Sequence, residues 1–508
     1  MNTRLPFCTF KKLFFPVLFF AVVFHYMTCG TNTRAGTLSD SWSDPVEVEP
    51  NEKVVVNKST SIAVDKKGKP YICYNDISNH RLTYATTDNF GTWTAKSILW
   101  NSNTIGASIA VDTKKKIHIC YIDDDDNLYY TTNAYDGNLF LTAAIDTSGY
   151  PGVNTAIAVD TNDNEVHVHI CYYDYFNKVI KYATNVSGTW ETADVETIDS
   201  LVDDADCSIA AGAISTVDGT VTAGFTSAHI SYIGSLVTNY DGHTRTEARL
   251  KYATDASGAW TTTVVHPNDS ARYGASIAVD KNGIPHISYS TVDKIMYGIY
   301  KDGLWFIEQA VPNKPQKSGN FAWKTSLGID GLGNAHICYY DNKADELMYV
   351  TNESGSWRKP KRVADNFGDG GKYNSLDVDT SGKVHISYYD ASKRAVMYTA
   401  KCIGIATSLT FLTPSDSDLT LHQTGTTTAT VTLQLTGSKE CPIELKGKKI
   451  TATIVSGRKL ISVEPRSKKT DENGEVEFTI SAKSGTGTAK VNFKYYTLDA
   501  ITNVAVEK

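Results

Sequence analysis

An all-β fold is predicted for this chain, a seven-bladed β-propeller followed by a smaller β domain, and three observations predict it. One four-stranded motif recurs seven times at a spacing of about 50 residues. Every copy is built of short Val-, Ile-, Tyr- and Thr-rich segments bounded by turn residues such as Asp280-Lys281-Asn282-Gly283. The last copy lacks its fourth segment, and a spare one stands at the opposite end of the chain.

The repeat core runs Ser-Ile-Ala-Val-Asp, turn, His-Ile-Ser/Cys-Tyr-Tyr-Asp, turn, Leu-Lys-Tyr-Ala-Thr, then Ser-Gly-x-Trp and a final β-rich run. Its first segment begins at Ser61, Ser108, Ala156, Ser208, Ser276, Ser326 and Ser375. No helical spacing of apolar residues follows the N-terminal segment. Units that cannot bury both faces alone must stack, and a ring of four-stranded blades does so with few exposed edges. The seventh copy stops at Met397-Tyr398-Thr399-Ala400, whereas Ser41-Trp42-Ser43-Asp44-Pro45-Val46-Glu47-Val48 matches Ser356-Trp357-Arg358-Lys359-Pro360-Lys361-Arg362-Val363 of the sixth. The N-terminal strand is therefore expected to complete the seventh blade and close the ring.

At 508 residues, 41% hydrophobic and 21% charged, the chain has ample material for a core and for more than one domain. A net charge of −7 offers no excess of cations to neutralise phosphates, which excludes nucleic acid as an expected partner. Arg4, Lys11 and Lys12 precede an apolar run from Leu13 to Phe24, too short to span a bilayer comfortably, so residues 1–29 are expected to be an export signal and 30–40 a tether. Tyr26-Met27-Thr28-Cys29 resembles a bacterial lipobox, with Tyr26 in place of the usual Leu and Thr28 in place of Gly or Ala. The resemblance implies lipidation at Cys29, membrane attachment through that anchor alone, and a secreted or cell-surface (outer-membrane-anchored) location in a bacterium; ordinary secretion is the alternative.

Nine cysteines in an exported protein suggest disulfides. Cys73, Cys120, Cys171 and Cys338, however, share one strand position with Ser231, Ser288 and Ser387, which marks a small-residue packing site. Only Cys402 and Cys441, flanking the domain junction, are expected to pair.

The seven copies also act as an internal control. Recurring residues are expected to serve the scaffold: His118, His169, His229, His286, His336 and His385 in the second strand, the fourth-strand tryptophans 42, 93, 190, 260, 305 and 357 at blade edges, and Asp65, Asp112, Asp160, Asp280, Asp330 and Asp379 as turn formers. Trp100 and Trp323 fall outside the pattern. Off-pattern residues concentrate in the loops that join strand 4 to the next strand 1 and strand 2 to strand 3: Asp203 and Asp206; Tyr240, His243, Arg245 and Glu247; His266, Arg272 and Tyr273; Trp323 and Lys324; Tyr373. Aromatic faces stack on the C–H face of a pyranose while Arg, Asp and His bond its hydroxyls, so this sector is the expected binding site for a glycan or surface polymer. Asp123-Asp124-Asp125-Asp126 is the one run with oxygen ligands for Ca²⁺. Asp123 matches the turn aspartates 76, 174, 341 and 390, so a solvated hairpin is the stronger reading and no cofactor is expected.

The blade endings, such as Asp88-Asn89-Phe90-Gly91-Thr92-Trp93, resemble the sialidase and Asp-box class of propellers, although no copy keeps the full Asp box. That resemblance implies arginines for a substrate carboxylate and a tyrosine nucleophile with a nearby carboxylate, for which Arg245, Arg272, Tyr240 and Glu247 are the available set. Paired carboxylates of another glycosidase would come from Asp203, Asp206 and Glu247, and a lyase would draw on His243, His266, Tyr273 and Arg272. None of these spacings compels catalysis, and a fold does not fix a function. From Gly404 the Thr-rich pattern, with Thr470-Asp471-Glu472-Asn473-Gly474-Glu475-Val476-Glu477-Phe478 and Gly485-Thr486-Gly487-Thr488, resembles bacterial immunoglobulin-like domains of the invasin and intimin type. The expectation is thus a propeller over residues 41–402, an Ig-like sandwich over 403–508, and a lectin-like or adhesive binder more than an enzyme. A sialidase-like hydrolase or polysaccharide lyase, and a scaffold binding envelope proteins, are the alternatives.

Overall fold

The structure, a computed structural model, describes residues 42–508 apart from 51, 101, 137–138, 149–150, 163–164, 199–205, 216–220, 241–242, 268–272, 292–293, 312–323, 342–343, 354, 364–369, 405, 415–416, 426, 439–440, 442–444 and 497. The described residues form strands and turns with no helix, arranged as eight four-stranded sheets and one of five strands. The repeated antiparallel sheets are consistent with a β-propeller.

Seven of the four-stranded sheets lie between Val46 and Cys402. Sheet 1 runs Val56–Val64, Pro70–Asp76, Arg81–Thr87, Trp93–Trp100 in simple antiparallel order. Sheets 2 to 6 repeat this order, starting at Ile105, Pro151, Cys207, Tyr273 and Thr325. Sheet 7 takes three strands from Gly370–Val378, Lys383–Asp390 and Ala395–Cys402, and its fourth from Val46–Glu47 at the other end of the chain. Val46 stands opposite Tyr398 and Glu47 opposite Met397. Ser43 N–H and Val48 N–H extend the pairing onto the carbonyls of Ala400 and Val396.

Consecutive first strands touch one another in order, and the first strand of sheet 7 touches that of sheet 1. What registers them is the serine that opens the repeat core. The hydroxyl oxygen of Ser61 accepts Ile109 N–H at 3.2 Å, Ser108 accepts Ile157 N–H, Ser208 accepts Ile277 N–H, Ser276 accepts Leu327 N–H, Ser326 accepts Leu376 N–H, and Ser375 accepts Ile62 N–H. The seventh interface, from sheet 3 to sheet 4, has no such bond because Ala156 has no hydroxyl.

A second row of contacts explains the Cys/Ser position of the second strand. In four sheets this side chain meets the residue just before the first-strand serine position of the next sheet: Cys120 with Thr155 at 3.1 Å, Ser288 with Thr325 at 2.9 Å, Cys338 with Asn374 at 3.1 Å and Ser387 with Thr60 at 3.1 Å. At the interface without the serine bond these two positions are Cys171 and Cys207, and they form a disulfide with a Cα–Cα distance of 6.4 Å. This corrects the expectation that Cys402 and Cys441 are the only pair. The second-strand cysteines are indeed too far from each other, but one of them faces a different cysteine on its neighbour. Cys402–Cys441 forms as expected, and Cys73, Cys120 and Cys338 are buried free thiols.

The recurring histidine and tryptophan form a third row. His Nδ1 meets the hydroxyl of the third-strand tyrosine in six sheets, from His118–Tyr130 at 2.6 Å to His385–Tyr398 at 2.8 Å. On its other side Nε2 faces the first-strand aspartate, at 2.7 Å in His169–Asp160 and 3.2 Å in His385–Asp379. In His169, His336 and His385 a ring protonated on Nε2 donates to the carboxylate and accepts from the phenol, whereas His118 and His286 stand farther from their aspartates, at 3.4 and 3.8 Å. Burial holds His229 down to about 4, which keeps it neutral. In sheet 4 the aspartate position is Gly212, where a Cβ would lie 2.7 Å from Val279 of the next sheet, and Ser227 takes over as the partner of His229 Nε2.

The same tyrosines pack on the fourth-strand tryptophan of the following sheet: Tyr130–Trp190, Tyr182–Trp260, Tyr252–Trp305, Tyr297–Trp357, Tyr349–Trp42 and Tyr398–Trp93, with Tyr84–Phe140 at the remaining interface. The tryptophans therefore lie at the sheet edges, as expected from the repeat, and pack there against the preceding sheet. Five of the six aspartates form turns as expected, Asp65 Oδ1 accepting the N–H of both Lys67 and Lys69; Asp160, opposite His167, does not, because its strand continues past it to Asn162 and its carboxylate bonds His167 and His169.

The remaining two sheets form a sandwich. One orders Ala406–Thr413, Thr428–Gly437, Glu475–Ala482 and Ile461–Glu464; the other orders Asp418–His422, Leu498–Glu507, Gly487–Tyr495, Lys449–Ser456 and Ser467–Lys469. Their inner faces share one core that includes Leu433, Ile450, Phe478, Phe493 and Val504, joined by Leu332 from the first turn of sheet 6.

Two outcomes are expected. Ala156→Ser, by restoring the missing hydroxyl, should raise the free energy of unfolding by roughly 0.5–1.5 kcal/mol, and Ser326→Ala should lower it by a similar amount, both read from denaturant midpoints. Peptide mapping without reductant should recover Cys171 linked to Cys207 and Cys402 linked to Cys441, with Cys73, Cys120 and Cys338 alkylated only after unfolding.

Candidate functional site

In every sheet the turns between strands 2 and 3, and the connections from strand 4 to the next strand 1, fall on one face, because strand direction alternates. The other face carries the turns between strands 1 and 2 and between strands 3 and 4. The predicted candidates among the described residues belong to the first of these faces.

Three of them, with Gly274, mark one arc. Two residues ahead of the first-strand serine position stand Asp206 in sheet 4, Gly274 in sheet 5, Lys324 in sheet 6 and Tyr373 in sheet 7, four consecutive places around the inner rim. Lys324 Nζ lies 3.4 Å from Asp206 Oδ2, reaching across sheet 5. Glycine between them makes this contact possible, since a Cβ at Gly274 would lie 3.1 Å from both Asp206 Oδ2 and Lys324 Cγ. The other carboxylate oxygen of Asp206 is buried with no hydrogen-bond partner among the described residues. Tyr373, half-buried, takes a left-handed backbone (φ 54°) and its carbonyl accepts the Thr60 hydroxyl at 2.6 Å.

Tyr273 opens the first strand of sheet 5, opposite Ser290, and its backbone leads directly into Gly274. Trp323, Arg272, Asp203 and Cys29 lie outside the described residues. Tyr240, His243 and Arg245 belong to a hairpin of sheet 4 that continues from the Gly234–Arg249 pair out to Tyr240 opposite His243, with Thr238 opposite Arg245. At about 3.4 Å per residue the tip stands roughly 20 Å along the hairpin from that pair. The predicted sector thus divides into a rim arc and a projecting arm.

Two enzyme candidates prove to be structural. His266 Nδ1 meets the Tyr289 hydroxyl at 2.7 Å, and the same second-strand tyrosine is held in other sheets by Asp146 on Tyr172, Glu196 on Tyr232 and Glu49 on Tyr74. Glu247 is paired with Arg249. In the acidic run, Asp123 Oδ1 accepts the N–H groups of Asp125 and Asn127 as a turn former, and no group of three or more ligating side chains suited to a metal occurs among the described residues.

Inside the rim, the alanine of the repeat core (Ala63, Ala110, Ala158, Ala210, Ala278) gives way in sheet 7 to Asp377. Its Oδ2 accepts Val64 N–H of sheet 1 at 2.8 Å and its Oδ1 accepts Val378 N–H at 2.8 Å. Burial, aided by the charge of Asp379 and opposed by those two bonds, raises this carboxyl to about 7.

The face also exposes aromatic residues that the sequence did not rank as a site. Trp100, at the end of the fourth strand of sheet 1, is 67% exposed, and Tyr175 and Phe176 occupy the strand 2–3 turn of sheet 3. Trp100 was visible as off-pattern; Tyr175 and Phe176 were hidden by a turn position that varies in every copy.

No protein-family model and no curated protein matches the chain. Among solved structures, AofleA of Arthrobotrys oligospora aligns at 12% identity over 64% of this chain and 91% of its own, with a TM-score of 0.41. The six-bladed fucose-recognising lectin of Aleuria aurantia aligns at 13% identity over 61% and 96%, TM-score 0.40, and the intramolecular trans-sialidase of Ruminococcus gnavus at 13% over 69% and 95%, TM-score 0.36. Likeness at this level assigns this chain neither a blade number nor a ligand.

Asp377 yields a pH prediction. Its folded pKa, about 7, lies above the value of about 3.9 for a free aspartate, so the fold holds the proton more tightly than the unfolded chain does. Its contribution is most favourable below about pH 4 and is lost as the pH rises through 7. Asp377→Ala, which restores the residue of five other sheets, should raise the thermal midpoint at pH 8 and change it little at pH 4.

Proposed function

We propose that this protein is a lectin-like binder of glycans or a related surface polymer. In this reading its seven repeat sheets are the blades of a closed propeller, and the face of the strand 4–1 connections holds the ligand. The observation that carries the reading is the rim arc: at a position the repeat leaves free, with Ser59, Gly106 and Asn154 in the other sheets, four consecutive sheets carry Asp206, Gly274, Lys324 and Tyr373. The scaffold accounts for the recurring His, Asp, Tyr and Trp, and it does not account for these. A carboxylate, an ammonium and a phenol along one rim suit the hydroxyls of a sugar, and the adjoining chain positions carry Tyr273, Arg272 and Trp323, whose residue types add stacking and charge-assisted bonds.

The cyclic contact of the first strands supports the seven-bladed count. The sandwich that follows is proposed to be an immunoglobulin-like spacer, and the N-terminal segment an export signal with Cys29 as a lipid attachment point at a bacterial cell surface. Both candidate carboxylates among the described residues have a cation of their own, Asp206 with Lys324 and Glu247 with Arg249, which favours binding over hydrolysis by a carboxylate pair.

A glycan array probed with the exported chain tests this. The expected result is retention of a defined glycan class without release of reducing ends or unsaturated sugars, and loss of about tenfold or more in affinity for Trp323→Ala combined with Arg272→Ala, a change of about 1.4 kcal/mol. Turnover of the glycan would replace the binder with an enzyme, and full retention by the double variant would remove the rim as the site.

A further inference from the structure

Trp100 stands where the scaffold does not ask for an aromatic residue. At this end of the fourth strand, sheets 2, 3, 4 and 7 place Asp146, Glu196, His266 and Glu49, each bonded to the second-strand tyrosine of the next sheet. Sheet 1 instead ends in an indole that is 67% exposed. An indole in water forfeits the burial that ordinarily places this residue inside.

The groups around it are held in place. Behind the ring lies Arg81, its guanidinium carbon 5.8 Å from the indole centroid and its side chain only 5% exposed. Arg81 is fixed by three carboxylates: Asp76 at 3.0 Å, Glu49 at 3.1 Å and Glu52 at 2.5 Å. Beside it, His80 sits in the left-handed region (φ 50°), its carbonyl accepts Ser102 N–H, and its Nδ1 is bonded to Asn103 Oδ1. His80, Asn103 and Glu52 are all exposed. The result is an exposed indole beside a fixed guanidinium, with Glu52 bonded to that guanidinium and His80 bonded to Asn103 at the adjoining chain positions, all on the face that carries the rim arc but at the outer edge of sheet 1.

We propose that Trp100 is a second carbohydrate-binding site, separate from the rim, in which the indole stacks on the C–H face of a pyranose while His80, Asn103 and Glu52 bond its hydroxyls. The inference rests on the glycan-binding reading above and adds to it a place and a valency. Preorganisation by the Arg81 network lowers the ordering cost that an exposed side chain would otherwise bear on binding. Two sites on one face would engage neighbouring residues of a polymer together, and the second contact then forms at high effective concentration.

The test is calorimetric titration of the exported chain with the monovalent oligosaccharide selected on the array, repeated for Trp100→Ala, Trp100→Phe and the rim pair Trp323→Ala with Arg272→Ala. Two equivalents are expected for the natural chain and one for Trp100→Ala, with Trp100→Phe retaining two because the stacking face survives. Indole fluorescence should shift on titration of the rim variant and lose that shift when Trp100 is also replaced. For the polymeric glycan, Trp100→Ala should cost about a hundredfold in apparent affinity. An unchanged stoichiometry in a folded Trp100→Ala, verified by an unaltered thermal midpoint, overturns the second site while leaving the rim reading intact. Absence of glycan binding by the natural chain overturns both.

Discussion

A hydroxyl on each first strand accepting an N–H from the next sheet is the contact on which the rest of this structure depends. Antiparallel pairing fixes register within a sheet, but sheets that meet face to face could slide over one another with little change in buried apolar area. The serine bond removes that freedom at six interfaces. At the seventh, where Ala156 cannot make it, Cys171 and Cys207 tie the second strand of sheet 3 covalently to the first strand of sheet 4. A covalent bond appears where the repeated bond is missing, and the physical requirement, a fixed offset between neighbours, is met either way. The tyrosines then extend the lock outward, each joined to a histidine of its own sheet and stacked on a tryptophan of the next.

Fixed offset between sheets is also what makes a rim possible. Because every first strand begins at the same height, residues two places ahead of the serine form a ring regardless of the loops that precede them. Asp206 and Lys324 come within 3.4 Å from different sheets for this reason alone. Glycine at 274 completes the arrangement by withholding a side chain. The scaffold thus gives function a set of equivalent positions and leaves their chemistry free, and the variation accumulates where no neighbouring sheet needs a particular side chain.

Much of the fold was legible in the sequence because the repeat reports its own constraints seven times. The pairing of Val46 with Tyr398 followed from a missing strand at one end and a spare one at the other. The structural role of the six histidines followed from their recurrence. The Cys171–Cys207 bond was not legible, since recurrence classed Cys171 with three cysteines that do not pair and Cys207 precedes the repeat core at a position that reads as loop. Only the offset between sheets brings them together. The site was half legible. Recurrence identified Asp206, Lys324, Tyr373 and Trp100 as departures, but it also swept up His266, whose off-pattern imidazole performs the task that carboxylates perform elsewhere. Chemical equivalence of a histidine acceptor and a carboxylate acceptor toward one phenol is invisible to residue identity.

Strand parity decides how such a site is displayed. Each first strand descends from the rim, so odd strands end on the far face and even strands begin there. Trp42 opens a fourth strand and Cys402 closes a third one, which places both on the face opposite the rim. Leu332, in a turn between first and second strands, lies on that same far face and enters the core of the terminal sandwich, while Cys402 is bonded to Cys441 within it. The sandwich is therefore held against the far face by a disulfide and a shared core, with the N-terminal strand entering beside it. Everything that joins the ring to the remainder of the chain leaves from one side, and the rim arc, the projecting hairpin and Trp100 are all left open on the other. An odd number of strands per sheet would have put connections and candidate site on alternating faces; four strands per sheet separate them completely.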